Sequence, residues 1–195
     1  WTNRPDSVRT GNGFSRHFNA YIMMDKPFRL NPKMSLAYGV GIASSNIFFN
    51  KVDVDLKSTA ARLPFTIVDS FNHFNKYKVT SIYAEIPIEL RWFSNPENMN
   101  KSWKFAIGAK VGTLIKSYTK GKEEVDKLGR SLYGKSYVVK ESNRRHINPT
   151  AIALTGRIGY GIVSLQGSYQ VTSVLREGAG PQMNRFTVGI GISGL

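Results

Sequence analysis

The feature that most constrains this chain is a period of two in its apolar residues, sustained through seven separate stretches. Alternation at that period puts successive side chains on opposite faces of an extended strand, so the chain reads as all-β. Residues 82–92 show it best, with Ile82, Ala84, Ile86, Ile88, Leu90 and Trp92 on one face and Tyr83, Glu85, Pro87, Glu89 and Arg91 on the other. The same division recurs over 14–26, 34–43, 103–112, 151–158, 163–171 and 185–192. The more polar face is often made of small residues: Ser35, Ala37, Gly39, Gly41 and Ala43 alternate with Leu36, Tyr38, Val40 and Ile42.

The connections alternate in length. Short links fall at 28–33, 93–102 and 159–161, and long ones at 51–76, 120–145 and 173–182. That alternation predicts an antiparallel up-and-down transmembrane β-barrel forming a single domain over 1–195, with short turns periplasmic and long loops extracellular. Single-chain bacterial barrels have an even strand number. Residues 1–13 therefore read as a further long loop, and the first of eight strands is expected largely to precede residue 1. The opening at Trp1, with neither an initiator Met nor a signal-peptide pattern, points the same way. No apolar run reaches the roughly 18 residues of a membrane-spanning helix. The absence of Cys excludes disulfide frameworks, thiolate metal sites and cysteine nucleophiles.

Three features assign the apolar face to lipid. The opposite face is too rich in Gly, Ala and Ser for a soluble exterior but suits the cramped lumen of a small barrel. Aromatic residues gather at strand ends, as Trp92, Trp103, Phe14 and Phe186, in the manner of interfacial girdles. Runs such as 82–92 match the roughly 9–11 residues of a tilted membrane strand. The predicted lipid-facing wall includes Ile82, Ile86, Ile88, Leu90, Phe105, Ile107, Val188 and Ile190.

A symmetric turn over 93–102 sets Trp92 opposite Trp103, Leu90 opposite Phe105 and Ile88 opposite Ile107. On the inner face it sets Glu85 against Lys110 and Arg91 against Lys104, with Glu89 on the diagonal. Glu85, Glu89, Arg91, Lys104, Lys110 and Arg157 are thus expected to form a lumen ion-pair network, since an unpaired buried charge is costly. In an eight-stranded barrel such a network is a polar plug rather than an ion path.

The segment Tyr83-Ala84-Glu85-Ile86-Pro87-Ile88-Glu89-Leu90-Arg91-Trp92 resembles the strand with the EIPxxL pattern in small outer-membrane β-barrel proteins of Bacteroidota, the PorT-like group. Segments 36–42, 105–112 and 186–192 are similar to other strands of that group, and the likeness runs from Phe14 to the end. The chain departs from it in ending Ser193-Gly194-Leu195, where outer-membrane barrels commonly end on an aromatic residue. The resemblance implies an outer-membrane location in a Gram-negative bacterium and an accessory role in a larger envelope machine. It brings no catalytic residue.

Other chemistry is thinly marked. Gly189-Ile190-Gly191-Ile192-Ser193-Gly194 matches GxGxxG, but no helix follows to hold a phosphate. His17, His73 and His146 have no metal-ligand spacing, and Asp53 and Asp55 already have Lys51 and Lys57 as counter-charge, so neither cofactor nor metal is expected. The formal net charge of +14 comes without a nucleic-acid reader motif. Cations between Lys116 and Arg145 would instead meet lipopolysaccharide phosphates or acidic partner surfaces. Residues 60–74 carry Leu63, Phe65, Ile67, Val68, Phe71 and Phe74 with little charge, a candidate partner loop. The sequence thus predicts a non-catalytic outer-membrane barrel that serves as a structural or accessory subunit of an envelope assembly or secretion complex, in contact with outer-membrane lipid and other envelope proteins. Two alternatives are a soluble eight-stranded barrel carrying an apolar ligand and an outer-membrane lipid-modifying enzyme using His17 or His146.

Overall fold

The computed structural model describes residues 15–68, 72–98 and 101–193. Phe14 and Phe71 lie outside them, so the girdle and partner-loop roles expected of these two are not placed. The strands are β1 (Arg16–Pro27), β2 (Met34–Phe49), β3 (Val52–Val54), β4 (Phe65–Ile67), β5 (His73–Phe93), β6 (Trp103–Val125), β7 (Val138–Ser142), β8 (Thr150–Tyr160), β9 (Val163–Gln170) and β10 (Phe186–Ile192). One antiparallel sheet runs β1-β2-β5-β6-β8-β9-β10, with β7 added to β6; β3 and β4 form a separate hairpin. The sheet is not closed, and β1 and β10 are its two edges.

The seven alternating stretches all become strands of the main sheet. Their extents differ from expectation in an informative way. β5 begins at His73 and β6 continues to Val125, so parts of the predicted loops 51–76 and 120–145 are strand, as are β3, β4 and β7. The short links are 28–33, 94–102 and the pair Gly161–Ile162, where Gly161 has φ 60°, the positive value a two-residue hairpin turn needs at its first position.

The β5–β6 register is two residues away from the predicted one. Trp92 faces Phe105, Leu90 faces Ile107, Ile88 faces Ala109, Pro87 faces Lys110 and Phe93 faces Lys104. Pairing continues past Phe93, because Ser94 N–H donates to the Trp103 carbonyl (3.0 Å) and the Trp103 N–H donates to Ser94 Oγ (2.9 Å). A two-residue shift leaves every side chain on its expected face.

That outward face carries the predicted wall: Ile86, Ile88, Leu90, Phe105, Ile107, Val188 and Ile190 are all exposed, while Ile82 is half-buried. The register shifts between Ile82 and Tyr83: Ile82 faces Lys116 and Tyr83 faces Leu114, leaving Ile115 as an extra residue on β6. This bulge switches the outward parity of β6 from odd to even. Beyond it the polarity of the sheet inverts. Lys76 and Lys78 point outward on β5, while Tyr77 and Val79 are buried inside.

The hydrophobic core therefore sits at the long-loop end, above the apolar wall, and is not a barrel interior. The β3–β4 hairpin folds over this end, burying Val52, Val54 and Leu56 against Ile47, Tyr77 and Met183. Tyr77 Oη donates to the Val54 carbonyl (2.8 Å) and accepts from the Val54 N–H (3.2 Å). Leu63 N–H donates to the Ala179 carbonyl (2.8 Å), and His146 Nε2 bonds the Ala60 carbonyl (3.0 Å). Tyr77→Phe is expected to lower stability by about 1–3 kcal/mol, since it strips both hydrogen bonds from a buried strand. Urea unfolding of the refolded protein in detergent, followed by tryptophan fluorescence, measures it.

The candidate partner loop is corrected by this cap. Leu63 is buried in the core, and Phe65 and Phe74 pack against it. Among its described residues Ile67 alone remains exposed, with Val68 half-buried. Low charge in this segment marks a plug looking inward, because its apolar residues have a core within reach.

Candidate functional site: the polar lumen

Below the cap, the inner face of the sheet carries two charge clusters. In the upper one, Glu85 comes from β5, Lys110 from β6 and Tyr21 from β1. Lys110 Nζ donates to Glu85 Oε2 (3.0 Å) and to Tyr21 Oη (3.2 Å), and Tyr21 Oη donates to the same carboxylate oxygen. Glu85 and Lys110 are 3% and 5% exposed, which makes this the most deeply buried ion pair among the described residues. Arg185 lies close enough for its charge to act on Tyr83 and is held through Nη2 by Gln170 Oε1 (2.7 Å).

In the lower cluster Glu89 Oε2 accepts from Arg91 Nε (3.0 Å) and from Arg157 Nη2. Arg91 Nη1 also reaches Asp25 Oδ2 (3.1 Å). Five of the six predicted network residues are thus ion-paired. Lys104 is the exception: it lies beside Arg91 and Arg157 and makes no ion pair with a carboxylate of the described residues. The two-residue register shift accounts for this, since it moves Lys104 from opposite Arg91 to opposite Phe93, two residues closer to the turn than expected.

Three members were not anticipated: Tyr21, Asp25 and Arg185. The signal was present for each. Tyr21 and Asp25 fall on the polar parity of β1, and Arg185 on that of β10. What alternation does not reveal is which strands end up across the lumen from one another.

A cavity of about 1330 Å³ runs along these clusters and is bordered by both edge strands. Its walls beside β10 are small: Gly189, Gly191, Ser164 and Thr187. Gly39 and Gly41 on β2 are required for a different reason, as a Cβ on either would fall 2.1 Å from a β1 carbonyl oxygen. The small lumen face of β2 thus permits close approach of the neighbouring backbone.

His17 faces the lumen with neither ring nitrogen hydrogen-bonded to an atom of the described residues, whereas His146 is buried beneath the cap on the Ala60 carbonyl. Asp53 Oδ1 accepts the Val54 N–H (2.9 Å) and Asp55 Oδ1 accepts the Lys57 N–H (2.9 Å), so both carboxylates serve local turns.

Girdle residues sit where the wall ends. Trp92 packs on Phe105 and Trp103 on Tyr160, each with ring centroids 5.5 Å apart, at the short-turn end. Phe186 is exposed at the opposite end, where β10 begins. An apolar exterior, an aromatic rim and a charged interior reverse the layout of a soluble ligand-carrying barrel, which overturns that alternative. Comparison with curated proteins and with solved structures gives no match. A family model described as the outer membrane protein beta-barrel domain matches residues 3–174, and the chain belongs to that family, located in the outer membrane of a Gram-negative bacterium.

Proposed function

We propose that this barrel is a plugged, non-catalytic membrane anchor that acts as an accessory subunit of an envelope assembly or secretion complex of the PorT-like kind found in Bacteroidota. The observation that carries the reading is the apolar cap formed by Val54, Leu56 and Met183, which closes the long-loop end above a cavity lined by the Tyr21–Glu85–Lys110 cluster. A barrel so capped has its outer surface and loops left for work. The segment joining β6 to β7 offers such a surface, with Leu128 and Tyr133 76% and 65% exposed.

The reading includes completion of the barrel by an eighth strand. With seven strands in antiparallel succession, β1 and β10 run in the same direction, so a single strand antiparallel to both fits between them. The wall residues Ile22 and Ile192 on these edges are 80% and 81% exposed, against 36% for Leu90 in the middle of the sheet. They have the exposure of residues lacking a neighbour on one side.

Two measurements test the reading. In planar bilayers the purified protein is expected to give no steady ion conductance. From native membranes in mild detergent it is expected to bring down a defined envelope protein, and Leu128→Asp with Tyr133→Asp to lose that partner while keeping heat-modifiable gel migration. Steady conductance, or purification as a lone barrel, refutes the proposal.

A further inference from the structure

Immediately above the bulge, the outward face of β5, β6 and β7 is a lysine lattice. Lys78, Lys120 and Lys140 are direct cross-strand neighbours in one row, and Lys76 faces Lys122 in the next. Lys116, opposite Ile82, stands where the apolar wall stops. Like charges placed directly opposite one another destabilise a sheet. None of these six lysines is ion-paired to a carboxylate of the described residues. Two are held in place by uncharged groups instead: Lys78 Nζ donates to Asn46 Oδ1 (2.7 Å), and Lys140 Nζ lies 4.3 Å from the centre of the Tyr118 ring.

The bulge makes the lattice. Without the extra residue Ile115, the even positions Lys116, Lys120 and Lys122 would point to the inside of the sheet. Height is equally specific. From Trp92 to Ile82 the wall rises ten residues, about 26 Å for a strand tilted by about 40°, which matches the roughly 25 Å apolar band of an outer-membrane barrel. The Lys78–Lys120–Lys140 row lies four residues beyond Ile82 on β5, level with Phe48 and two residues past the Thr80–Tyr118 pair, where headgroups replace hydrocarbon.

We propose that this face binds the phosphate groups of an outer-leaflet glycolipid, lipid A, with the Lys78–Lys120–Lys140 row as its centre. Acyl chains then lie on the apolar wall directly below, and each phosphate can meet neighbouring lysines set about 5 Å apart across strands. The inference rests on the outer-membrane location and not on the accessory role.

The test uses the protein purified in mild detergent and stripped of lipid, titrated with bisphosphorylated lipid A and counted by native mass spectrometry. The triple variant Lys78→Gln, Lys120→Gln, Lys140→Gln is expected to bind at least tenfold more weakly. The corresponding triple arginine variant keeps binding, as does the control Lys127→Gln with Lys135→Gln. Wild-type binding weakens as NaCl rises, and monophosphorylated lipid A binds less well than the bisphosphorylated form. In lipid-free detergent the glutamine variant should melt no lower than wild type, because it relieves repulsion. Equal binding of lipid A by the wild-type and glutamine proteins overturns the proposal, as does equal binding of the two lipids. Loss of a copurifying protein with lipid A binding unchanged also overturns it, assigning the face to an acidic protein surface.

Discussion

Replacing Ile88 with arginine is expected to lower the free energy of unfolding in phospholipid vesicles by about 2–4 kcal/mol, whereas Trp92→Arg costs about 0–1 kcal/mol. Ile88 is exposed on the outer face between Tyr38 and Ala109, near the middle of the span that runs from Ile82 to Trp92. There an arginine must leave water for hydrocarbon, while at Trp92 it reaches the interface. Were the wall bathed in water, Ile88→Arg would exchange an exposed apolar side chain for a solvated one at little cost. Unfolding in vesicles by urea, followed by tryptophan emission, separates the two cases. A penalty below about 0.5 kcal/mol for Ile88→Arg, or equal penalties at both positions, contradicts a lipid-facing wall.

The membrane part of the fold was legible because one rule holds throughout it: apolar out, polar or small in. Ile86, Ile88 and Leu90 faced outward as alternation predicts, and Glu85–Lys110 met across β5 and β6 even though the assumed register was two residues out. Period-two patterning specifies the face strongly and the register weakly, since an even slip preserves every face. The extramembrane part was not legible, because its polarity is the reverse. At Tyr77 and Val79 the buried side is apolar and the outer side is Lys76 and Lys78, so a reader looking for lipid-facing residues sees a charged loop. The single extra residue at Ile115 hides the change further by breaking the parity of β6 where the rule switches. For the same reason residues 60–74 read as an exposed patch in sequence: Leu63 and Phe65 find a core only once the cap folds over them.

The largest effect is expected at the lumen pair. Glu85→Ala should cost about 3–5 kcal/mol, the range for removing one member of a buried ion pair. The loss strands Lys110, 5% exposed, with the Tyr21 hydroxyl at 3.2 Å as its remaining polar partner. One further charge adds to this: Arg185, like Lys110, faces the space that Glu85 occupies, so its carboxylate is the one anion of the upper cluster among the described residues. The double variant Glu85→Met, Lys110→Met removes this cation with its anion and should recover the part of the loss that comes from stranding Lys110, while Arg185 stays without the carboxylate. If both variants unfold with nearly wild-type midpoints, the pair is not what fills the lumen. If the double variant is as unstable as the single one, the defect lies in packing and not in charge. Recovery in the double variant combined with a newly open conductance would show that the pair closes the lumen at little net cost in stability, so its role is to exclude water and ions rather than to hold the sheet together.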